Sequence, residues 1–501
     1  MKRSLMHAAA VLVVALSGVS SASEPKIPEF KAYELATYTL ITHDRFTASQ
    51  IPGQAARIDA FLTQQLNTGA HTPSLPTWIW VVPPDLWRRY LEPSDDFHTE
   101  FLPARFANYL LLENDVNSHV LRRALFHQYT HAFLRSQMQR YCPLWFEEGM
   151  ASVIARSDFQ YTKVAVGTHA RYEGPWIPLA RLFQIDRSSP EYLSEMNSGS
   201  VYFGSWALVH RAFIEDEAFN MQLFDFLAAL NNLNPIDKAV PKSFGVSVEE
   251  LDRDMRAYAR RITPEAIFEV KISPVSPPKV PPGRSMSEVE SLVLLAEVML
   301  AYGTKPERLP EVIDAAHRQA ADSPEVLTLR MRLAVRDRDD SALGRLLAEI
   351  EPRLTEPRIA RGAGLALFER VRDSRSGDAM SPADRERLSR RAFELLDRAV
   401  MSRPDDLEAI WGYAMLSAQL KQDLAIALRR VDSGLAIASY NADLAMAAAL
   451  IYEAQGEEKK MIPFLVVTAR MSKLTDQRAW AIKRVNEVLA SQAAATPAAT
   501  K

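Results

Sequence analysis

His127-Gln128-Tyr129-Thr130-His131, followed further along by Pro143-Leu144-Trp145-Phe146-Glu147-Glu148-Gly149, is the stretch from which fold and chemistry are read. Two histidines at this spacing stand one helical turn apart, so both imidazoles leave the same side of a helix. Val120, Ala124, His127, His131 and Leu134 recur at intervals of four, three, four and three. That rhythm predicts a long helix from His119 to about Arg140, capped by Asn117 or Ser118, with this face turned inward. Two imidazoles on a buried apolar stripe need partners, and one shared divalent metal satisfies both. Pro143 suits the first turn of a second helix reaching about Arg156. There Leu144, Glu148, Ala151 and Ala155 share a face that presents a carboxylate among apolar neighbours. An ionised glutamate in such a place is costly unless it is paired or binds metal. Glu147, one residue round, is expected to face solvent, and Gly149 permits close packing of a neighbouring helix.

The two segments together resemble the gluzincin zinc peptidases, especially the peptidase MA-like group of exported bacterial proteins. In that family a helix carrying HExxH precedes a helix carrying W-x-x-E-G-[LM]-A, matched here by Trp145, Glu148, Gly149, Met150 and Ala151. The resemblance extends over roughly residues 30–262 and includes Trp176–Phe183, Tyr202–His210 and Phe244–Leu251. It implies an α+β zincin-like N-terminal domain, a small sheet plus helices, that holds zinc through His127, His131 and Glu148. It also implies that Tyr202 or His210 polarises a substrate carbonyl; the alternative is an aromatic helix packed behind the site. The departure is Gln128, which stands where the family has the glutamate that takes a proton from the attacking water. A glutamine amide is similar in size and can hydrogen-bond, but it has no useful basicity. Loss of a general acid/base typically costs ~10²–10⁴ in rate.

With 501 residues, 48% apolar and 24% charged, the chain is expected to form more than one globular domain. Met1-Lys2-Arg3, the apolar run Leu5–Val19 and the small residues Ser20–Ser23 read as a signal peptide cleaved after Ala22 or Ser23. The run is too short for the ~20 residues of a membrane span, so the mature protein is expected to be exported, periplasmic or extracellular, with no span. Cleavage removes Lys2 and Arg3 and leaves 57 basic against 62 acidic residues, a net charge of −5. That balance gives no electrostatic case for nucleic acid. Cys142 is the only cysteine, which excludes an internal disulfide, and beside Pro143 it reads as a small buried hydrophobe.

Between the termini, Ala55–Leu66 has helical spacing with Ile58, Phe61, Leu62 and Leu66 on one face. Thr77–Val82 and Ala107–Leu112 read as strands, Pro84–Leu91 as a helix, and 170–262 as mainly helical, with helices near 200–215, 219–231 and 248–261. The prolines of Ser273–Gly283 favour an extended connector. Beyond it, helical periodicity is continuous, with turn signals at Ser323-Pro324, Glu356-Pro357, Arg403-Pro404, Tyr440-Asn441 and Leu474-Thr475. These intervals, stretched by a longer loop at Asp373–Ser381, resemble the ~34-residue period of an all-α tetratricopeptide array. The expected organisation is a signal peptide (1–22), a metallopeptidase-like domain (27–271), a proline-rich linker (272–284), helical repeats (285–490) and a disordered tail (491–501). Three functions follow as expectations: a zinc-holding pseudo-peptidase that binds peptide or protein; an active peptidase with an unconventional base; or a scaffold that binds a protein partner through its repeats.

Overall fold

Thr77-Trp78-Ile79-Trp80-Val81-Val82 lacks polar alternation, which suits a strand covered on both faces. In the computed structural model it forms β3 (Thr77–Val82), near the middle of a mixed sheet. The structure describes residues 26–69, 75–92, 99–114, 118–137, 142–166, 175–193, 195–262, 268–373, 380–472 and 474–495. The signal peptide expected over 1–22, the end of the expected tail (496–501) and most of the loop around 374–379 lie outside them.

The sheet also contains β1 (Lys31–Glu34), β2 (Thr39–Thr42), β4 (Thr99–Ala104), β5 (Ala107–Glu113) and β9 (Arg284–Ser285), in the order β4-β5-β3-β2-β1-β9. Strands β2, β3 and β5 run parallel, and β4 closes one side as the antiparallel partner of β5. A smaller antiparallel sheet joins β6 (Asp158–Phe159), β7 (Lys163–Val166) and β8 (Phe268–Lys271). Strict alternation sorts the main sheet's side chains. Leu40, Ile79, Val81, Phe101, Leu110 and Leu112 pack with α1 (Arg45–Leu66) and α3 (Ser118–Gln137). Ile41, Trp80, Val82, Leu102, Tyr109 and Leu111 face the other way, onto the first helices of the C-terminal array. At about 1.5–3 kcal/mol per fully buried large apolar side chain, this two-sided burial joins both helical layers to one sheet.

The expected helix at Pro84–Leu91 begins as the turn α2 (Pro84–Leu86) and continues as π-helix over Trp87–Leu91. Helix α4 (Leu144–Ala155) follows α3 and crosses α7 (Glu195–His210) after the short helices α5 (Leu179–Leu182) and α6 (Pro190–Leu193). Helices α8 (Glu217–Asn231), α9 (Ile236–Phe244) and α10 (Val248–Arg261) complete the N-terminal α+β part, the last opened by a Ser247/Glu250 capping box. A second capping box, Ser287/Glu290, opens the all-α part. Its helices are α11 (Glu288–Tyr302), α12 (Leu309–Gln319), α13 (Pro324–Arg336), α14 (Asp340–Ile350), α15 (Pro357–Asp373), α16 (Pro382–Ser402), α17 (Leu407–Leu420), α18 (Leu424–Ile437), α19 (Ala442–Ala454), α20 (Glu458–Met471) and α21 (Thr475–Ala495). Ser323, Glu356, Asn441 and Leu474 each stand directly before a helix, where the turn signals placed the breaks. Helix α21 runs through Ser491–Ala495, which the sequence assigned to a disordered tail. No helix among the described residues is long and apolar enough to cross a membrane.

Gly149 sets how closely α4 lies on α7. A Cβ there would collide with the Ser205 carbonyl oxygen and come within 2.5 Å of Val209 Cγ2. Neither backbone nor a β-branched side chain can swing aside, so Gly149→Ala is expected to cost about 1–3 kcal/mol in chemical denaturation. Gly204→Ala is the milder control, because its Cβ would meet only the side-chain tips of Leu182 and Ile177, at 3.2 and 3.3 Å. Equal stability of the Gly149 variant and the native chain would refute this account of the packing.

Candidate metal centre

Helix α3 packs between the sheet and α4, which cover its His127–His131 face and leave His127 partly exposed. The His131 side chain is 2% exposed and that of Glu148 1%, whereas His127 keeps 21%. His127 Nε2 and His131 Nε2 lie 3.3 Å apart, and Glu148 Oε2 lies 3.3 Å from the first and 3.5 Å from the second. The three residues expected as metal ligands are therefore brought together, and they form a group able to hold a metal ion. Glu148 Oε2 is buried and makes no hydrogen bond of its own. Three donor atoms converging on one point, one of them an orphaned carboxylate oxygen, fit a shared cation.

The surroundings fix each donor. Phe101 on β4 stacks on the His131 ring, with centroids 5.6 Å apart and planes 8° from parallel. Tyr192 donates its hydroxyl to Glu148 Oε1 at 2.8 Å, which leaves Oε2 as the atom facing the imidazoles. Glu147 corrects the sequence expectation: it is 3% exposed, not solvent-facing. Its Oε2 accepts from Arg187 Nη2 at 3.0 Å and lies 3.8 Å from His131 Nδ1. Helix α4 is buried on all sides from Leu144 to Ala151, so Glu147 has no wet face to occupy. Val120, expected on the inward stripe, is 37% exposed, since the first turn of α3 projects beyond the core.

Charge states follow from these contacts. Burial, with His127 and Arg187 adding to it, holds the His131 imidazole below its ordinary range despite the pull of Glu148. Burial acts to raise Glu148, but His131 and His127 overcome it and keep the carboxyl well below the usual carboxylate range. A neutral imidazole and an ionised carboxylate are the forms that bind metal. Gln128 is buried on the same helix, 7% exposed. Tyr202 stands beside His127, ring centroids 6.1 Å apart. His210 sits in the core instead, with Nδ1 2.6 Å from the Tyr258 hydroxyl and its ring against Trp206. Cys142 is buried, as the sequence led us to expect.

Sequence reasoning missed Tyr192, Arg187 and Glu100. The first two lie in the polar stretch around α6, where no spacing relates them to α3. Glu100 is on β4, a strand not expected from the sequence. It accepts from the Tyr302 hydroxyl at 3.0 Å. Burial pushes its carboxyl up to about 7; Tyr302, Arg187 and His127 oppose the rise and Glu148 adds to it.

Because the folded value lies above the ordinary 4.5, the unfolded chain loses this proton first as pH rises. The associated stability is complete below about pH 4.5 and is lost as pH climbs through about 7. Glu100→Gln is expected to abolish that loss, so that unfolding free energies of variant and native chain diverge with rising pH, by on the order of a few kcal/mol. Parallel pH profiles in urea denaturation would contradict the displaced carboxyl.

No family model matches the chain, and comparison with curated proteins and with solved structures yields no match either. The chemistry rests on the three donor atoms and what surrounds them.

Proposed function

We propose that the chain is an exported, zinc-binding relative of the gluzincin (peptidase MA-like) metallopeptidases, impaired in hydrolysis, that binds a peptide or protein segment. The observation that carries the proposal is the triangle of His127 Nε2, His131 Nε2 and Glu148 Oε2, with sides of 3.3, 3.3 and 3.5 Å. Ligands ~2.0–2.1 Å from a tetrahedral zinc stand ~3.3–3.4 Å apart, and two imidazoles with one carboxylate are a donor set that suits zinc better than calcium or magnesium. Zinc held there supplies Lewis acidity, which polarises a carbonyl and acidifies water.

The protein's own groups do the rest. Tyr192 keeps Glu148 turned so that a single oxygen faces the imidazoles, the kind of contact that tunes metal sites from outside the ligands, while Glu147 Oε2 lies 3.8 Å from His131 Nδ1, beyond hydrogen-bond reach. Arg187 offsets the charge of Glu147. Gln128 can donate and accept hydrogen bonds but cannot take a proton, so it favours binding over cleavage. Strand β4 is terminal in its sheet, and Phe101 on it touches His131. An extended segment added along such a strand would run beside the site, a common mode of peptide capture. The zincin-like character of the N-terminal part is supported by the order of sheet, histidine helix and glutamate helix. Tetratricopeptide-like repeats are supported by helices that begin at Pro324, Pro357, Leu407, Ala442 and Thr475, with α13, α15, α17 and α19 lying side by side.

Purified under metal-replete conditions, the native chain is expected to hold about one zinc, and His131→Ala to lose it, as read by elemental analysis. On a broad peptide library the native chain is expected to cleave little. Gln128→Glu should raise chelator-sensitive cleavage by at least ~10²-fold. Equal, robust cleavage by both would overturn the pseudo-peptidase reading, and a metal-free native chain would leave only a binding scaffold. Glu100 favours a second reading, an active peptidase with an unconventional base, because its displaced carboxyl senses Glu148, Arg187 and His127. That reading requires native cleavage that disappears in Glu100→Gln.

A further inference from the structure

A half-buried arginine one turn beyond His131 leads out of the candidate metal centre. Arg135 on α3 donates through Nη1 to Asn108 Oδ1 at 2.7 Å and to the Ala107 carbonyl at 3.3 Å. Its Nη2 donates to the Ala104 carbonyl at 2.7 Å. These acceptors flank the turn between β4 and β5, so the histidine helix holds that turn from the inside. Arg105 and Phe106, at the tip, are held from the outside by the helical array. The Arg105 guanidinium lies 3.8 Å from the Trp411 ring centroid, and its Nε is 3.2 Å from Asp443 Oδ2. Asn441 Nδ2 donates to the Arg105 carbonyl at 3.2 Å, and the Phe106 ring stands 6.1 Å from that of Trp411. Phe106 thereby joins the apolar core of the array. Further back along β4, Tyr302 of α11 donates to Glu100, the neighbour of Phe101.

The strand that stacks on a ligand histidine is therefore gripped by the array at its tip and again near its start. A free strand end would let Phe101 slide and the His131 ring turn with it, because a stacked ring is held only by what fixes its partner. The sequence suggested that the repeats recognise a separate protein, yet their Trp411 face already carries a segment of this chain, bound by a cation–π contact, an ion pair, a hydrogen bond and an aromatic contact.

We propose that the array face formed by Trp411, Asn441 and Asp443 is a docking site for the chain's own β4–β5 turn, and that this docking sets the affinity of the metal centre. Arg105 and Asp443 are thus positioning residues for His131. The inference rests on the metal-binding reading above.

The test uses the full chain as native protein, Arg105→Ala, Asp443→Ala and the double variant, each titrated with zinc against a competing chelator. Each single variant is expected to bind zinc about tenfold more weakly, within the range seen when contacts outside the ligands are removed. The double variant should be little weaker than Arg105→Ala alone, since that substitution already removes the ion pair that Asp443→Ala breaks, together with the contact to Trp411. Arg430→Ala, which cuts an ion pair to Asp397 within the array at 2.7 Å, should leave zinc binding unchanged. Amide hydrogen exchange of β4 in the metal-free chain should quicken in the Arg105 and Asp443 variants only. Zinc affinity within twofold of native in both singles overturns the proposal, and so does equal weakening by Arg430→Ala. Unaltered exchange in β4 overturns the docking role without reference to metal. A native chain that binds no zinc removes the affinity claim together with the metal reading, and the exchange data then decide the docking claim alone.

Discussion

A carboxylate 1% exposed, set between two imidazoles inside an apolar helical layer, is the constraint around which the N-terminal part is organised. Removing such a charge from water costs several kcal/mol unless partners replace the lost hydration. Glu148 has one partner for one oxygen, the Tyr192 hydroxyl, and two imidazole nitrogens around the other. Neither imidazole offers Oε2 a well-formed hydrogen bond, so the protein's own groups compensate this charge incompletely. A cation at the convergence point would complete it, and this links the stability of α3 against α4 to metal binding. The close approach of α4 and α7 at Gly149 serves the same end, because it holds the glutamate helix at the height where Oε2 meets the two rings.

The sheet distributes that constraint through the molecule. Its inner face builds the wall behind α3, and its outer face is shared with α11, α12 and α13. The array is consequently not a separate appendage: its first helices form part of the sheet's core, and its middle helices hold the tip of the β4–β5 turn. At the far end, Arg470 donates to the Asn231 carbonyl at 2.6 Å, and Thr475 bonds Asp186, the neighbour of Arg187. Both sides of the metal centre, the β4 strand and the Arg187 loop, are thus backed by helices distant in sequence.

What the sequence made legible follows from periodicity. The histidine and glutamate helices declared themselves because α3 and α4 carry apolar residues at helical spacing, and the triad of expected ligands was named from the resemblance to the paired zinc-peptidase motifs. Thr77–Val82 was readable as a strand because a β-branched and aromatic run ended at Pro83. Strands β1, β2 and β4 were not, since they are short or, in β4, interrupted by Pro103. Glu147 was misplaced because a wheel shows angular position but not whether solvent exists on that side. Arg187 and Tyr192 reach the site through loop geometry that no local pattern encodes. The clamp at Arg105 was equally invisible, since it joins residues more than three hundred positions apart.

Gln128 leaves a buried position of α3 uncharged, on the helix that also carries His127 and His131. Glu148 and Glu147 already lie close to His131, and Arg187, half-buried beside them, is held strongly protonated by Tyr192, Glu147 and Glu148 against the cost of burial. Glu100 holds its proton up to about pH 7, chiefly because burial penalises its charge and in part because Glu148 is near. A carboxylate at position 128 would put a further buried charge on the same helix, in a medium that screens poorly. Glutamine keeps the volume and the hydrogen-bonding capacity of that position while removing the charge. On the proposed metal-binding reading, a side chain without charge or basicity at this position is the physical sense in which the chain would hold rather than cut.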